Sequence, residues 1–304
     1  MWVEQELIEL RSSRYSAAAW LLYARRALAF ARERALGNPA AVRSVLFVGL
    51  ILFLGAVACA AVLAVVVDPG LARRAFGWTV VGLVPMIVLT LLHIDLLRDK
   101  TGTPLDAIGW PSAITLTRVA LVPAFLVFMA ARQFKLAFLA YMIAIASDIV
   151  DGWVARRFHQ ETRFGTILDP LADILCSFWL FVGLYIGGLA PLLALVLAAL
   201  RMLLLLVGGS FLYVTRGPVR IHSTLPGKMT GLLLTGLVVV RLAFAAFDLG
   251  PLAERLTPLS VDAFVVLLGF TLLYGWVIGW INLKRLRGQA PSEPGVVTDV
   301  RFGA

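Results

Sequence analysis

Eight stretches of about twenty predominantly apolar residues constrain this chain more than any other feature. They run over 45–67, 77–97, 113–131, 135–155, 166–187, 190–214, 229–248 and 260–283. Twenty residues of helix rise about 30 Å, the thickness of a bilayer's hydrocarbon core. Inside lipid, backbone N–H and C=O groups find no water, so a spanning segment is either a helix or part of a closed barrel. Long unbroken apolar runs, without the alternation of a barrel strand, select the helix. The spacing predicts an all-α integral membrane protein with about eight transmembrane helices.

Charge agrees with this reading and orients it. Only 15% of the 304 residues are charged and the mean hydropathy is +0.91, whereas a soluble domain is about 25% charged. With eight spans both termini share one side. Twenty of the 27 Lys and Arg residues fall on that side, five on the other, and Arg201 and Arg241 lie inside spans. By the positive-inside bias the termini are expected in the cytoplasm and the chain in the cytoplasmic (inner) membrane. The net charge of +9 could also suggest nucleic acid. Here, however, the basic residues lie between apolar runs and form no patch interleaved with aromatics, so the expected partner is the lipid bilayer and not nucleic acid. Cys59 and Cys176 both sit in apolar runs, with neither disulfide nor zinc spacing. About forty residues of mixed charge precede the first run, unlike a signal peptide. Residues 1–44 thus read as a basic cytoplasmic or interfacial helical segment, and 45–104 as two N-terminal transmembrane helices. A six-helix region follows over 105–287, then a flexible tail over 288–304 with Gly288, Pro291, Pro294 and Gly295.

Four aspartates, Asp148, Asp151, Asp169 and Asp173, lie within 26 residues at the junction of the fourth and fifth runs. Each acidic group costs about 2.5–3.5 kcal/mol at a span centre, less near its end. Asp148 and Asp151 are spaced i, i+3, and Asp169 and Asp173 i, i+4, so each pair shares a helix face. The two helices are antiparallel neighbours, which lets the pairs converge at one membrane depth near the cytoplasmic surface. Pro170 fits a first helical position, placing Asp169 near the start of its helix, although a start one turn earlier preserves the shared face. Facing carboxylates repel unless cations neutralise them, and oxygen ligands without His or Cys indicate Mg²⁺, Mn²⁺ or Ca²⁺. Gly152, Ala155 and Gly165 remove bulk beside the acids, either for a ligand or for helix packing. Arg156 stands at the mouth, either to meet a diphosphate or as a cytoplasmic anchor.

The segment reads D-x2-D-G-x2-A-R-x8-G-x3-D-x3-D, formed by Asp148, Asp151, Gly152, Ala155, Arg156, Gly165, Asp169 and Asp173. It resembles the signature of the CDP-alcohol phosphatidyltransferases, with no departure at any fixed position. The resemblance covers 105–287 as the family core and leaves the first two spans outside it. It implies that Asp148, Asp151 and Asp169 ligate two divalent ions, Mg²⁺ or Mn²⁺. Asp173 would complete that site and act as general base on an acceptor hydroxyl. Gly152, Ala155 and Gly165 would admit the cytidine nucleotide, and Arg156 would contact its diphosphate. The implied donor is CDP-diacylglycerol, the product CMP, and a homodimer is the usual assembly of the family.

Two further segments resemble the branch that includes the phosphatidylglycerophosphate synthases. Pro111, Thr115 and Arg118 match P-N-x-[IL]-T-x-x-R, with Ser112 at the Asn place. Gly227 and Lys228 match the G-K of S-x-x-G-K-x-K-T; Ser223 stands one residue farther upstream than the pattern's serine, and Met229 and Thr230 leave the second lysine absent or displaced. Arg201 matches an arginine of the sixth span, with Met202 at the following acid. This resemblance implies that Arg118, Arg201 and Lys228 bind the phosphate of a phosphorylated acceptor, glycerol 3-phosphate first. Inositol phosphate, serine and phosphatidylglycerol are the alternative acceptors. For Arg118 and Lys228 the competing reading is snorkelling to the interface. Two other classes compete: a cation-coupled transporter, which calls for broken helices and inverted repeats that the sequence does not display, and an inactive scaffold, which four intact acids argue against. His93, His159 and His222 read as interfacial, and Arg241 acquires no role from sequence.

Overall fold

The computed structural model describes residues 6, 9, 16–99, 101–158, 160, 162–216, 219–221, 225–247, 251–287 and 298–300. The regular structure of the described residues is helical, apart from two three-residue strands. Helices α1 (Ala17–Gly37), α2 (Pro39–Val66), α3 (Pro69–Leu92), α4 (Trp110–Ala130), α5 (Phe134–Arg157), α6 (Arg163–Ile186), α7 (Leu192–Arg216), α8 (Leu225–Ala246) and α9 (Pro251–Arg287) follow in order. Helices α2 to α9 are the eight long and apolar enough to cross a membrane. The eight-span expectation and the fold class therefore stand, and the chain is a multi-pass membrane protein.

Helix starts follow local chemistry. Asn38 caps α2, its side chain accepting from the Ala41 N–H, and Asp68 caps α3 through the Leu71 N–H. Pro39 and Pro69 occupy first-turn positions, where a missing N–H loses nothing. Asp68-Pro69-Gly70, residue types that also form turns, is thus a helix start. The α6 start differs from expectation. Thr162 is the cap, accepting from the Gly165 N–H at 2.9 Å, so Asp169 lies well inside the helix and Pro170 is an interior residue. The aspartate pair keeps its shared face. The tail, expected to be flexible, contributes strand Thr298–Val300, which pairs in parallel with Val219–Ile221. Its remaining residues, together with His159 and His222, lie outside the described residues.

The chain divides into two compact units, 28–190 with 239–253, and 1–27 with 191–238 and 254–304. In the first, α2 packs on α3, α3 on α4, and α4 on both α5 and α6. Helix α4 is therefore the central element. Gly82 lets α3 approach it closely, because a Cβ there would stand 2.9 Å from the Pro123 ring. An apolar cluster of Val45, Leu83, Met86, Ile108, Leu116 and Phe164 joins α2 and α3 to the starts of α4 and α6. Leu46, Phe47, Leu50 and Leu54 of α2 are exposed, as suits side chains that meet acyl chains. In the second unit Leu204 of α7 lies against Gly275 of α9, and Phe270 stacks on Tyr274. Arg26 of α1 pairs with Glu6 and Glu9 at 3.1 and 2.6 Å.

The structure supplies a role for Arg241. Its Nε and Nη2 donate to the Leu189 carbonyl at 3.1 and 2.8 Å. Leu189 belongs to the turn that ends α6, where Gly188 adopts φ +75°. The guanidinium thus ties α8 to that turn and gives the turn's carbonyl a partner. Replacing Arg241 with Met is expected to destabilise the protein by about 1.5–3 kcal/mol, the worth of hydrogen bonds from a charged donor. Thermal unfolding in detergent checks this; an unchanged midpoint would show that the tie contributes nothing.

Candidate functional site

The C-terminal half of α5 and the N-terminal half of α6 run antiparallel beside the start of α4. Each helix contributes a same-face pair: Asp148 and Asp151, Asp169 and Asp173, and Thr115 with Arg118, spaced i, i+3. The α4 pair reaches all four acids. Arg118 Nη1 pairs with Asp148 and lies 3.1 Å from Asp173, and Nη2 lies 3.1 Å from Asp151. Thr115 Oγ1 lies 3.0 Å from Asp151 Oδ2 and 3.1 Å from Asp169 Oδ1.

Burial grades across this cluster. The Asp151 side chain is 10% exposed and Arg118 7%, whereas Asp148 and Asp173 are 55% and 56% exposed. Asp151 is therefore the floor, and the other acids open to the surface. The hydrogen-bond supply is short. A hydroxyl carries one proton, and Thr115 has three acceptors in reach, the Pro111 carbonyl at 3.1 Å included. Arg118 Nε is buried and finds no acceptor among the described residues.

Charge is unbalanced as well. Four carboxylates face one guanidinium, leaving a formal charge of three negatives among these side chains. Two like charges 4 Å apart repel by about 4 kcal/mol where the effective dielectric constant is near 20. An oxygen-only donor set with surplus negative charge suits a hard divalent cation in type and charge. Three of the acids surround the guanidinium and Asp169 turns to Thr115 instead of all four closing on one point, and no three His, Cys, Asp or Glu among the described residues form a ready-made ligand set.

The small residues lie where a ligand would need room. A Cβ on Gly165 would stand 3.3 Å from Thr162 Oγ1, 3.5 Å from Ser112 Oγ and 3.9 Å from Asp169 Oδ2. Gly165 is thus walled by oxygens. One turn along α5 from Asp148, a Cβ on Gly152 would stand 3.2 Å from Arg156 Nη1, so the guanidinium lies folded along its own helix. The Ala155 carbonyl accepts from the Gln160 N–H at 3.1 Å and so anchors the loop to α6. Arg118, expected at the acceptor phosphate, stands within the aspartates themselves. Arg201, half-buried in α7, and Lys228, exposed in the first turn of α8, belong to the other unit. Sequence reasoning gave Thr115 no task. Its i, i+3 spacing to Arg118 was the available signal, since a hydroxyl and a guanidinium on one face of an apolar helix need polar partners.

Substituting Arg118 with Met leaves Asp151 buried without its cation, a loss of about 3–5 kcal/mol by the behaviour of broken buried pairs. Thr115→Val removes one hydroxyl at nearly constant shape and is expected to cost about 1–3 kcal/mol. Detergent unfolding curves that rank R118M no lower than T115V would contradict this assignment.

Comparison with known proteins supports the pattern. The family model described as CDP-alcohol phosphatidyltransferase matches residues 108–284. A CDP-diacylglycerol–glycerol-3-phosphate 3-phosphatidyltransferase of Aquifex aeolicus (strain VF5) is 32% identical over 105 residues, covering 34% of this chain and 58% of that protein. One of the same name from Escherichia coli (strain K12) is 46% identical over 66 residues, 21% of this chain and 36% of that protein. The alignments thus span about a third to somewhat over half the length of these relatives. No solved structure matches the chain significantly. The matched region begins at the loop before α4, runs through all four aspartates of the cluster and ends within α9, and by it the chain belongs to the CDP-alcohol phosphatidyltransferase family.

Proposed function

We propose that this protein transfers a phosphatidyl group from CDP-diacylglycerol to an alcohol and releases CMP. The observation that carries the reading is the convergence of Asp148, Asp151, Asp169 and Asp173 at one end of a membrane bundle. In the reaction the acceptor oxygen bonds to the diacylglycerol-linked phosphorus, and the bond from that phosphorus to the bridging oxygen breaks. The electron pair leaves with CMP. Asp173, one of the two most exposed acids of the trio around Arg118, takes the hydroxyl proton.

The four aspartates would hold two divalent ions, Mg²⁺ or Mn²⁺, which supply charge neutralisation for the leaving phosphate and alignment for the nucleophile. Gly152, Ala155 and Gly165 leave room for the nucleotide, and Arg156 is placed to unfold from Gly152 toward its diphosphate. Glycerol 3-phosphate is the preferred acceptor, because both relatives carry it in their names. Arg118 is already engaged by three carboxylates. The acceptor's phosphate therefore falls chiefly to Arg201 and Lys228, with Arg118 as the third residue of the set; the support for the first two is their place in the sequence pattern. The Lys and Arg bias supports a cytoplasmic-membrane location, with this site and both termini on the cytoplasmic side. No observation favours the transporter reading.

Purified protein given CDP-diacylglycerol, Mg²⁺ or Mn²⁺ and a panel of alcohols is expected to release CMP, fastest with glycerol 3-phosphate. Absence of metal-dependent CMP with every acceptor would sink the enzyme reading, and a faster alternative acceptor would replace glycerol 3-phosphate. Asp173→Asn is expected to lower kcat by about 10²–10⁴, the usual worth of a general base, while CDP-diacylglycerol binding survives. Retained turnover would remove Asp173 as the base.

A further inference from the structure

Helix α4 carries Thr115 and Arg118, yet its own start is poorly secured. Gly109 precedes it and supplies no side-chain cap. The first N–H groups of a helix need outside partners, and here they and the segment leading to them are held by other elements. Trp110 N–H donates to Gln160 Oε1 at 3.2 Å, from the loop between α5 and α6. Ile108 N–H donates to Ser44 Oγ of α2 at 3.0 Å, and Asn38 Nδ2 of α2 donates to the Leu105 carbonyl at 3.0 Å. These last two bonds come from a helix that lies before the residues the family match covers.

The segment between α3 and α4 is itself stiff. Arg98 donates to the Asp95 and Gly102 carbonyls, both at 2.9 Å, and Asp99 accepts from Thr101 Oγ1 at 2.6 Å and Thr103 N–H at 2.9 Å. Gly102 holds φ +94°, a conformation other residues rarely adopt. The Leu105 N–H returns to the Leu97 carbonyl at 2.9 Å, and Arg163 N–H at the start of α6 donates to the Arg98 carbonyl at 3.0 Å. The same stiff piece therefore touches α2, α4 and α6. Apolar packing runs in parallel, since Ala41 and Val45 of α2 share a cluster with Ile108, Leu116 and Phe164.

We infer that α2 and the 93–109 segment form a brace that sets α4 in register with α5 and α6, with Asn38 and Ser44 as positioning residues for Thr115 and Arg118 among the aspartates. Neither residue touches the reacting groups. The brace gives the first of the two helices outside the family core a task in the reaction, and to that extent it rests on the phosphatidyl-transfer reading.

The chemistry of the two residues permits a discriminating test in the full-length protein. Asn38→Asp keeps an oxygen to cap Ala41 N–H, and an acid suits a helix start, but it has no donor for the Leu105 carbonyl. Ser44→Ala removes the acceptor for Ile108 N–H, and Ser44→Thr restores it. The N38D/S44A double variant is expected to lower kcat roughly tenfold or more, because small misplacements of catalytic groups cost rate steeply, with donor KM within about twofold. N38D/S44T should recover part of that loss. Unfolding midpoints should fall, as lost hydrogen bonds require, but a kcat loss at near-constant donor KM that Ser44→Thr partly reverses is what a merely structural role would not give. Amide hydrogen exchange over 108–113 is expected to quicken about tenfold in the double variant, and this needs no turnover. Unchanged exchange, or unchanged kcat in an active protein, overturns the brace. If the wild type releases no CMP, the functional reading fails, and exchange still decides whether the brace exists.

Discussion

Asp151 is the buried acid of the cluster, and in an apolar bundle a buried carboxylate persists only with a cation and hydrogen-bond donors around it. Arg118 and Thr115 supply both from α4. That contact explains why α4 must sit between α5 and α6, and why its depth along them is fixed. A slip of one residue on α4 would rotate the pair by about 100° and turn the guanidinium away from Asp151. The pairing does not neutralise the cluster. Negative charge in excess of the single guanidinium is what makes the site a place for cations and for phosphate chemistry, and not simply a salt bridge within a core.

Close packing serves this arrangement. Gly82 brings α3 onto α4 at Pro123, and the cluster around Leu116 fills one side of α4. One face of the helix is therefore apolar and locked, while the other is polar and reactive. The apolar face cannot shift without opening a cavity, and the polar face cannot shift without separating charges.

Much of this was legible in the sequence. The apolar runs specified the helices, and the spacings 148/151 and 169/173 specified shared faces, because both depend only on periodicity. What was not legible depended on how elements meet. Arg118 looked like a phosphate ligand or an interface anchor, since nothing local reveals that three carboxylates from two other helices surround it. Arg241 had no partner in view because a carbonyl 52 residues away carries no sequence signature. The start of α6 was misplaced because Pro170 resembles a first-turn proline, while the actual cap is a threonine eight residues earlier whose hydroxyl takes the Gly165 N–H. Asp68-Pro69-Gly70 carries the same ambiguity: turn-forming residues and helix caps are the same residue types.

The loop between α5 and α6 carries a consequence of its own. Eight residues separate Arg156 from Gly165, and among them Gln160 holds the first N–H of α4 while Thr162 caps α6. That interval works as a ruler. It measures out, along the chain, the distance over which one loop must reach two helix starts at once. Length there is as much a part of the chemistry as the aspartates are: a chain could keep every acid and still, with one residue added, have its two halves of the cluster out of step.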